Sequence, residues 1–392
     1  MIRPSYFQIN FMESNGIFKP GNIIKADLDL ILDRPLKLAA IRIYAKGKAF
    51  VHWTNQNMRG PGSPRYKVVR HYSANEEYFD FVCTVLKSEE HNKRIILPPG
   101  KYSYPFQFQL PPNLPSSFEG QYGYVRYWVK ATVEKPWSFD HVTKTAFSVI
   151  SALDLNSLPD ANTSVRNGSH AQLCCLCCLS GPITAQLSLE RRGFVSGEPI
   201  LINAEVDNMS RRKIRQTSVA LKMTTTFHSG TKSRSITTQL AKIQHGPVGR
   251  GNANTWNEEK LYLPPLPPSF LLGCSIIDIH YTLELQVDPV GPGFEILVPV
   301  EIIIGTVPLH SSIQHHARVS QYGADSGTGD LYRTSTTAPE RLEFFNSLSV
   351  TYSDSIFGSV SIKEDDDPEY TRGNLHFTPV YTFYIWNNYP TT

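Results

Sequence analysis

Leu110-Pro111-Pro112-Asn113-Leu114-Pro115-Ser116-Ser117-Phe118 recurs later in the chain as Leu263-Pro264-Pro265-Leu266-Pro267-Pro268-Ser269-Phe270. Each copy is a proline-rich corner, and each is followed by a long alternating stretch, Tyr122 to Val133 and Ile277 to Val287. Proline removes a backbone donor, so such a run cannot lie inside a helix or a central strand, but it suits a corner between strands. Upstream of each corner lies a second duplicated element. Phe18-Lys19-Pro20-Gly21 leads into Ile24, Ala26, Leu28, Leu30 and Leu32, interleaved with Lys25, Asp27 and Asp29. Phe194-Val195-Ser196-Gly197 leads into Ile200, Ile202, Ala204 and Val206, interleaved with Asn203, Glu205 and Asp207. Period-two alternation puts one face in a core and the other in water.

The spacing from glycine to phenylalanine is 97 residues in the first copy and 73 in the second. The excess fits an insertion over Thr54 to Tyr66, whose Gly, Pro and Asn content predicts a loop. Short strands punctuated by turn residues run through both halves, and no stretch of ten residues carries a helical period. The 28 prolines and the 11% aromatic content favour strand and turn over helix. The expected fold is all-β: two tandem immunoglobulin-like antiparallel β-sandwiches, at 1–152 and 180–306. A linker spans 153–179. Residues 307–392 form a flexible C-terminal tail, largely disordered, in which the run Glu364-Asp365-Asp366-Asp367 should repel itself and stay extended.

A net charge of +3 is too even to point to nucleic acid or to a strongly acidic partner. The densest basic run, Arg211-Arg212-Lys213-x-Arg215, reads as a solvated turn. The start of the chain carries no apolar segment of signal-peptide type, and the longest apolar stretch, Phe294 to Ile304, is interrupted by Glu295, Pro299 and Glu301. A cytoplasmic protein is expected, in which the sequons at Asn162, Asn167 and Asn208 stay unmodified.

No nucleophile elbow, phosphate-binding glycine loop or zinc-protease motif is present, and His315-His316 lies in the tail. Cys174, Cys175, Cys177 and Cys178, with His170 just before them, are too nearly consecutive for a structural zinc site. No catalytic residue, metal or cofactor is expected.

Leu114 to Gly120, running into Gly123-Tyr124-Val125-x-Tyr127 and closing on Glu134-Lys135-Pro136-Trp137, resembles the first arrestin-domain signature. Arg191 to Glu198, with Asn208-Met209-Ser210, resembles the opening of the second, and Ile304-Gly305-Thr306-Val307-Pro308-Leu309 its close. Together these matches span residues 6–309 and resemble the α-arrestin family. The resemblance implies a non-enzymatic adaptor that binds cytoplasmic parts of receptors or transporters as cargo. It also implies a HECT-type ubiquitin ligase recruited through WW domains, and movement from cytoplasm to plasma membrane or endosomes. Cargo contacts are then expected on the concave faces of the sandwiches. A retromer-like coat or scaffold subunit shares the fold and is the alternative.

Ligase recruitment in that family uses Pro-Pro-x-Tyr motifs, in which paired prolines preset a polyproline II segment for an aromatic groove. The counterparts here, Asp367-Pro368-Glu369-Tyr370 and Thr378-Pro379-Val380-Tyr381, each lack the first proline. Pro368, Tyr370, Pro379 and Tyr381 are therefore either a degenerate ligase-binding pair or ordinary tail residues. Phe377, Tyr381, Phe383 and Ile385 alternate up to Trp386 with high strand propensity. That pattern is expected to add a strand to an exposed edge of the first sandwich. The four clustered cysteines either pack at the domain junction as small hydrophobes or carry palmitoyl chains that hold the protein peripherally on a membrane.

Overall fold

A computed structural model of the chain describes residues 3–12, 15–59, 66–88, 94–136, 139–172, 181–291, 295–314 and 348–386. The first half contributes β1 (Tyr6–Phe11), β2 (Ile17–Phe18), β3 (Ile23–Leu32), β4 (Leu36–Leu38), β5 (Ala40–Arg59), β6 (Tyr66–Lys87), β7 (Ile95–Leu97), β8 (Gly100–Gln109), β9 (Phe118–Gly120), β10 (Gly123–Glu134) and β11 (His141–Val149). These form a three-stranded sheet, β1-β3-β8, facing a larger sheet ordered β2-β11-β10-β5-β6, with β9 on β10 and a β4-β7 pair at the side.

The second half contributes β12 (Val165–Gln172), β13 (Pro182–Leu189), β14 (Gly193–Val195), β15 (Pro199–Asn208), β16 (Ile214–Ser229), β17 (Lys232–His245), β18 (Ala253–Tyr262), β19 (Ile277–Pro289) and β20 (Ile296–Gly305). They form sheets ordered β12-β13-β15-β18 and β14-β20-β19-β16-β17. In each half one very short strand runs parallel to the last long one: β2 along β11, and β14 along β20.

The duplicated sequence is a duplicated set of bonds. In β3 the alternating residues Ile24, Ala26, Leu28 and Leu30 are buried, and in β15 so are Ile200, Ile202, Ala204 and Val206. Each proline corner is pinned by a buried tyrosine of the following strand. The Tyr127 hydroxyl donates to the Pro115 carbonyl and the Tyr281 hydroxyl to the Pro267 carbonyl, both at 2.7 Å. Those carbonyls lie in the corners, outside any strand, and the phenol supplies the donor that a buried carbonyl needs. A serine of each corner, Ser117 or Ser269, accepts the backbone N–H of Val149 or Ile304 in the last strand of its sandwich.

Two expectations are corrected. Thr54 to Tyr66 is not simply a loop, because β5 and β6 stay paired out to Arg59↔Tyr66 and the insertion lengthens a hairpin. Its polar composition reflects a ribbon that reaches beyond the core. The tail is not largely disordered over 348–386. It forms β21 (Leu348–Asp354), β22 (Val360–Ser361), β23 (His376–Phe377) and β24 (Val380–Trp386), with β21 paired to β24 and β22 to β23.

That tail lies across both halves. Tyr381 is 2% exposed and its hydroxyl donates to the Ser117 carbonyl at 3.2 Å. Tyr384 donates from its backbone to the Ser196 carbonyl and from its hydroxyl to the Thr306 carbonyl. Tyr384 and Trp386 pack with Leu153, Leu155, Val195, Ile303, Leu309 and Ile313, a second apolar cluster where the linker meets the second sandwich. Gly197 has φ +89°, and a Cβ there would meet the Tyr384 carbonyl oxygen at 2.1 Å, so this close crossing requires glycine.

Candidate functional site

The alternation that buries Val125, Tyr127, Val129 and Ala131 turns Tyr124, Arg126, Trp128 and Lys130 of β10 to the opposite face of the sheet. The neighbouring strands add cations on that face. Lys48 of β5 lies directly opposite Arg126, and Lys144 of β11 directly opposite Lys130. Like charges facing each other across an antiparallel pair repel. Two such pairs on one face form a cationic surface that carboxylates sharing it would stabilise.

The anions come from two sources. Glu119 takes Arg126 through two bonds, Arg126 Nε to Oε1 at 2.8 Å and Nη2 to Oε2 at 2.9 Å. The rest come from the acidic run of the tail. Lys144, fully buried, donates to Asp367 Oδ2 at 2.8 Å and to Glu364 Oε2 at 3.0 Å. Glu364 also pairs with Lys48 and accepts from the Tyr124 hydroxyl at 3.2 Å. Lys130 lies 3.7 Å from Asp367 Oδ1. Aromatic faces complete the walls: Lys144 and Lys130 lie 4.6 and 5.3 Å from the Trp128 ring centroid, and the Arg126 guanidinium 4.0 Å from that of Tyr124. Burial alone would raise the Glu364 carboxyl, but its bonds to Lys48 and Lys144 bring it down to about 2.

The acidic loop is shaped for this seat. Glu364 N–H donates to Asp367 Oδ2 and Asp367 N–H to the Glu364 carbonyl, closing a tight turn. Beyond it, Arg372 N–H donates to the Val142 carbonyl and Lys144 N–H to the Arg372 carbonyl, a short parallel bridge on the edge of β11. Gly373 follows at φ +100°, where a Cβ would lie 2.2 Å from the Lys144 carbonyl oxygen. The expectation of an extended, self-repelling run therefore fails, since the lysines of the first sandwich neutralise it. Edge addition to that sandwich takes place at Arg372, while Val380 to Trp386 pairs with β21.

The two candidate tyrosines fare differently. Tyr370 is 61% exposed, with the Arg3 guanidinium 4.3 Å from its ring centroid. Pro368 precedes it in a turn closed by Thr371 N–H donating to the Pro368 carbonyl at 3.0 Å. Tyr381 is buried against the first proline corner, and the Pro379 carbonyl accepts from Ser355 N–H, so this second motif is not presented to a partner. Cys174, Cys175, Cys177 and Cys178 lie outside the described residues. Trp53, Trp128 and Trp256 are buried. Among the described residues no three His, Cys, Asp or Glu side chains converge as a metal site, and no helix is long and apolar enough to cross a membrane.

Sequence reasoning missed Lys48, Arg126, Lys130, Lys144, Glu119 and Glu364. The signal was present in the outward phase of β10, where aromatic and cation alternate as Tyr124, Arg126, Trp128 and Lys130, together with an acidic run of opposite charge far along the chain.

The N-terminal domain of arrestin (or S-antigen) matches residues 7–156, and the C-terminal domain of the same family matches 179–309. The chain is 31% identical to arrestin domain-containing protein 17 of Caenorhabditis elegans over 371 residues, covering 90% of this chain and 82% of that protein. It is 30% identical to arrestin domain-containing protein 4 of Mus musculus over 319 residues, covering 80% and 74%. It is 27% identical to the thioredoxin-interacting protein of Homo sapiens over 305 residues, covering 76% and 74%. With both domain matches in tandem order and this coverage, the chain belongs to the arrestin family, as an arrestin-domain-containing protein of the α-arrestin type.

Proposed function

We propose that this chain is a trafficking adaptor that binds acidic cytoplasmic segments of receptors or transporters on the cationic face of its first sandwich. It brings a HECT-type ubiquitin ligase to that cargo through the Tyr370 motif, acting in the cytoplasm and at plasma membrane or endosomes. The observation that carries the reading is the pairing of Lys48, Lys130 and Lys144 with Glu364 and Asp367 of the chain's own tail. A cationic face that takes carboxylates from a segment far along the chain can take them from another protein. The tail then acts as an intramolecular competitor, and a partner binds by outcompeting it.

The test is fluorescence anisotropy with a labelled peptide of glutamate and phosphoserine, titrated with a chain ending at Gln314. Binding that weakens with salt and drops about tenfold or more in Lys130→Glu is expected. Equal binding by Lys130→Glu would remove this face as the cargo site. A coat or scaffold role predicts instead a stoichiometric complex that survives purification.

A further inference from the structure

We propose that His52 and His71 form a two-imidazole site for a divalent metal ion of the zinc class, at the root of the ribbon made by β5 and β6. This inference is independent of the adaptor reading.

Strand pairing brings the two rings together. His52 lies opposite Ser73 and Thr54 opposite His71, so the histidines are diagonal neighbours on one face of the antiparallel pair. The other face fixes that placement. Trp53 and Tyr72, each next in sequence to one of the histidines, lie directly opposite each other. Their rings stack with centroids 5.3 Å apart and planes 15° apart. Trp53 is buried, and so is Val51 on the other side of His52. Packing on the inner face thus holds the histidines in register on the outer one. The His52 N–H also donates to the Tyr122 carbonyl at 2.7 Å, which ties β5 to the turn before β10.

The distance between the rings suits shared ligation better than a hydrogen bond. His52 Nε2 and His71 Nδ1 are 3.4 Å apart, with ring planes 22° apart. Hydrogen bonds from an N–H usually end near ~3.2 Å. Two nitrogens each about 2.0–2.1 Å from one tetrahedral zinc ion lie about 3.3–3.4 Å from each other. An ion there needs both facing nitrogens bare, with the protons on His52 Nδ1 and His71 Nε2. No third His, Cys, Asp or Glu joins the pair among the described residues. Two tetrahedral positions are then left to water, as in a site that stays open. Imidazoles select zinc, copper or nickel, whereas magnesium and calcium prefer oxygen. An ion bonded to both strands cross-links the ribbon where it leaves the core. Histidines 19 residues apart match no ligand spacing, and only the pairing of β5 with β6 makes them neighbours.

Amide hydrogen exchange of the full chain, with and without zinc chloride, reads the site locally, apart from any zinc taken up by the cysteines at 174–178. Zinc at ten times its half-maximal concentration should slow exchange over residues 55–59 and 66–70, the ribbon beyond the pair, by about tenfold. Val129 should be unaffected, and magnesium chloride should slow neither region. His52→Gln and His71→Gln, both on the outer face, should each need at least about tenfold more zinc for the same slowing. The effect is the ratio of rates with and without zinc within each chain, so a variant whose ribbon is looser from the outset still reports. Equal slowing in both variants, or equal slowing by magnesium, overturns the proposal. So does a ribbon in the unmodified chain that exchanges at the same rate with zinc as without it.

Discussion

At the scale of single residues, the same proline-corner bond is made twice. Tyr127 and Tyr281 are fully buried, and each hydroxyl satisfies a proline carbonyl that has no ladder partner. Tyr127→Phe and Tyr281→Phe should each cost about 1–2 kcal/mol, because each leaves a buried acceptor unpaired while hardly altering the packing. Urea denaturation read on each sandwich checks this, and a neutral result at either corner would show that water replaces the phenol there. Glu364 gives a pH-dependent counterpart. Its docked carboxyl titrates at about 2 against an ordinary 4.5, so its contribution to docking is complete above 4.5 and is lost as pH falls towards 2. The difference in tail protection between the unmodified chain and Glu364→Gln should therefore be large at neutral pH and close as pH drops through that window. A difference that does not change with pH would mean that Glu364 is not held as a carboxylate.

At the scale of elements, strand identity was legible wherever a strand has one wet and one dry face, as in β3, β15 and β19. It was not legible over Thr54 to Tyr66, where the hairpin of β5 and β6 leaves the core and alternation carries no information about pairing. The alternation of Phe377 to Trp386 correctly announced a strand, but its partner β21 and the burial of Tyr381 under Ser117 depend on contacts far apart in sequence. The acidic run shows the same limit from the other side. Judged within its own segment, Glu364 to Asp367 is self-repelling. Its neutralising lysines lie more than two hundred residues upstream, on strands whose register a single sequence does not display. The cationic face was thus written in β5, β10 and β11, but only the pairing of those strands assembles it.

At the scale of the molecule, the tail adds to a junction that the two halves already make directly, where Ser275 donates to Glu76, Ser229 donates to the Ser73 carbonyl and the Tyr122 and Phe227 rings meet edge to face. Tyr381 bonds to the first proline corner, Tyr384 to Ser196 and Thr306 of the second half, and the acidic loop to the outer face of the first sandwich. Releasing the loop exposes the cations of β5, β10 and β11, and a tail that leaves also gives up its bonds to both halves. The most direct test is amide hydrogen exchange of Lys144, whose N–H donates to the Arg372 carbonyl at 2.9 Å, in the full chain and in a chain ending at residue 347. Removing the tail should speed exchange at Lys144 by about tenfold or more, while Val129, in the middle of β10, keeps its protection. An unchanged rate at Lys144 would contradict it, because the tail would then not be docked on the face that this reading of the molecule assigns to it.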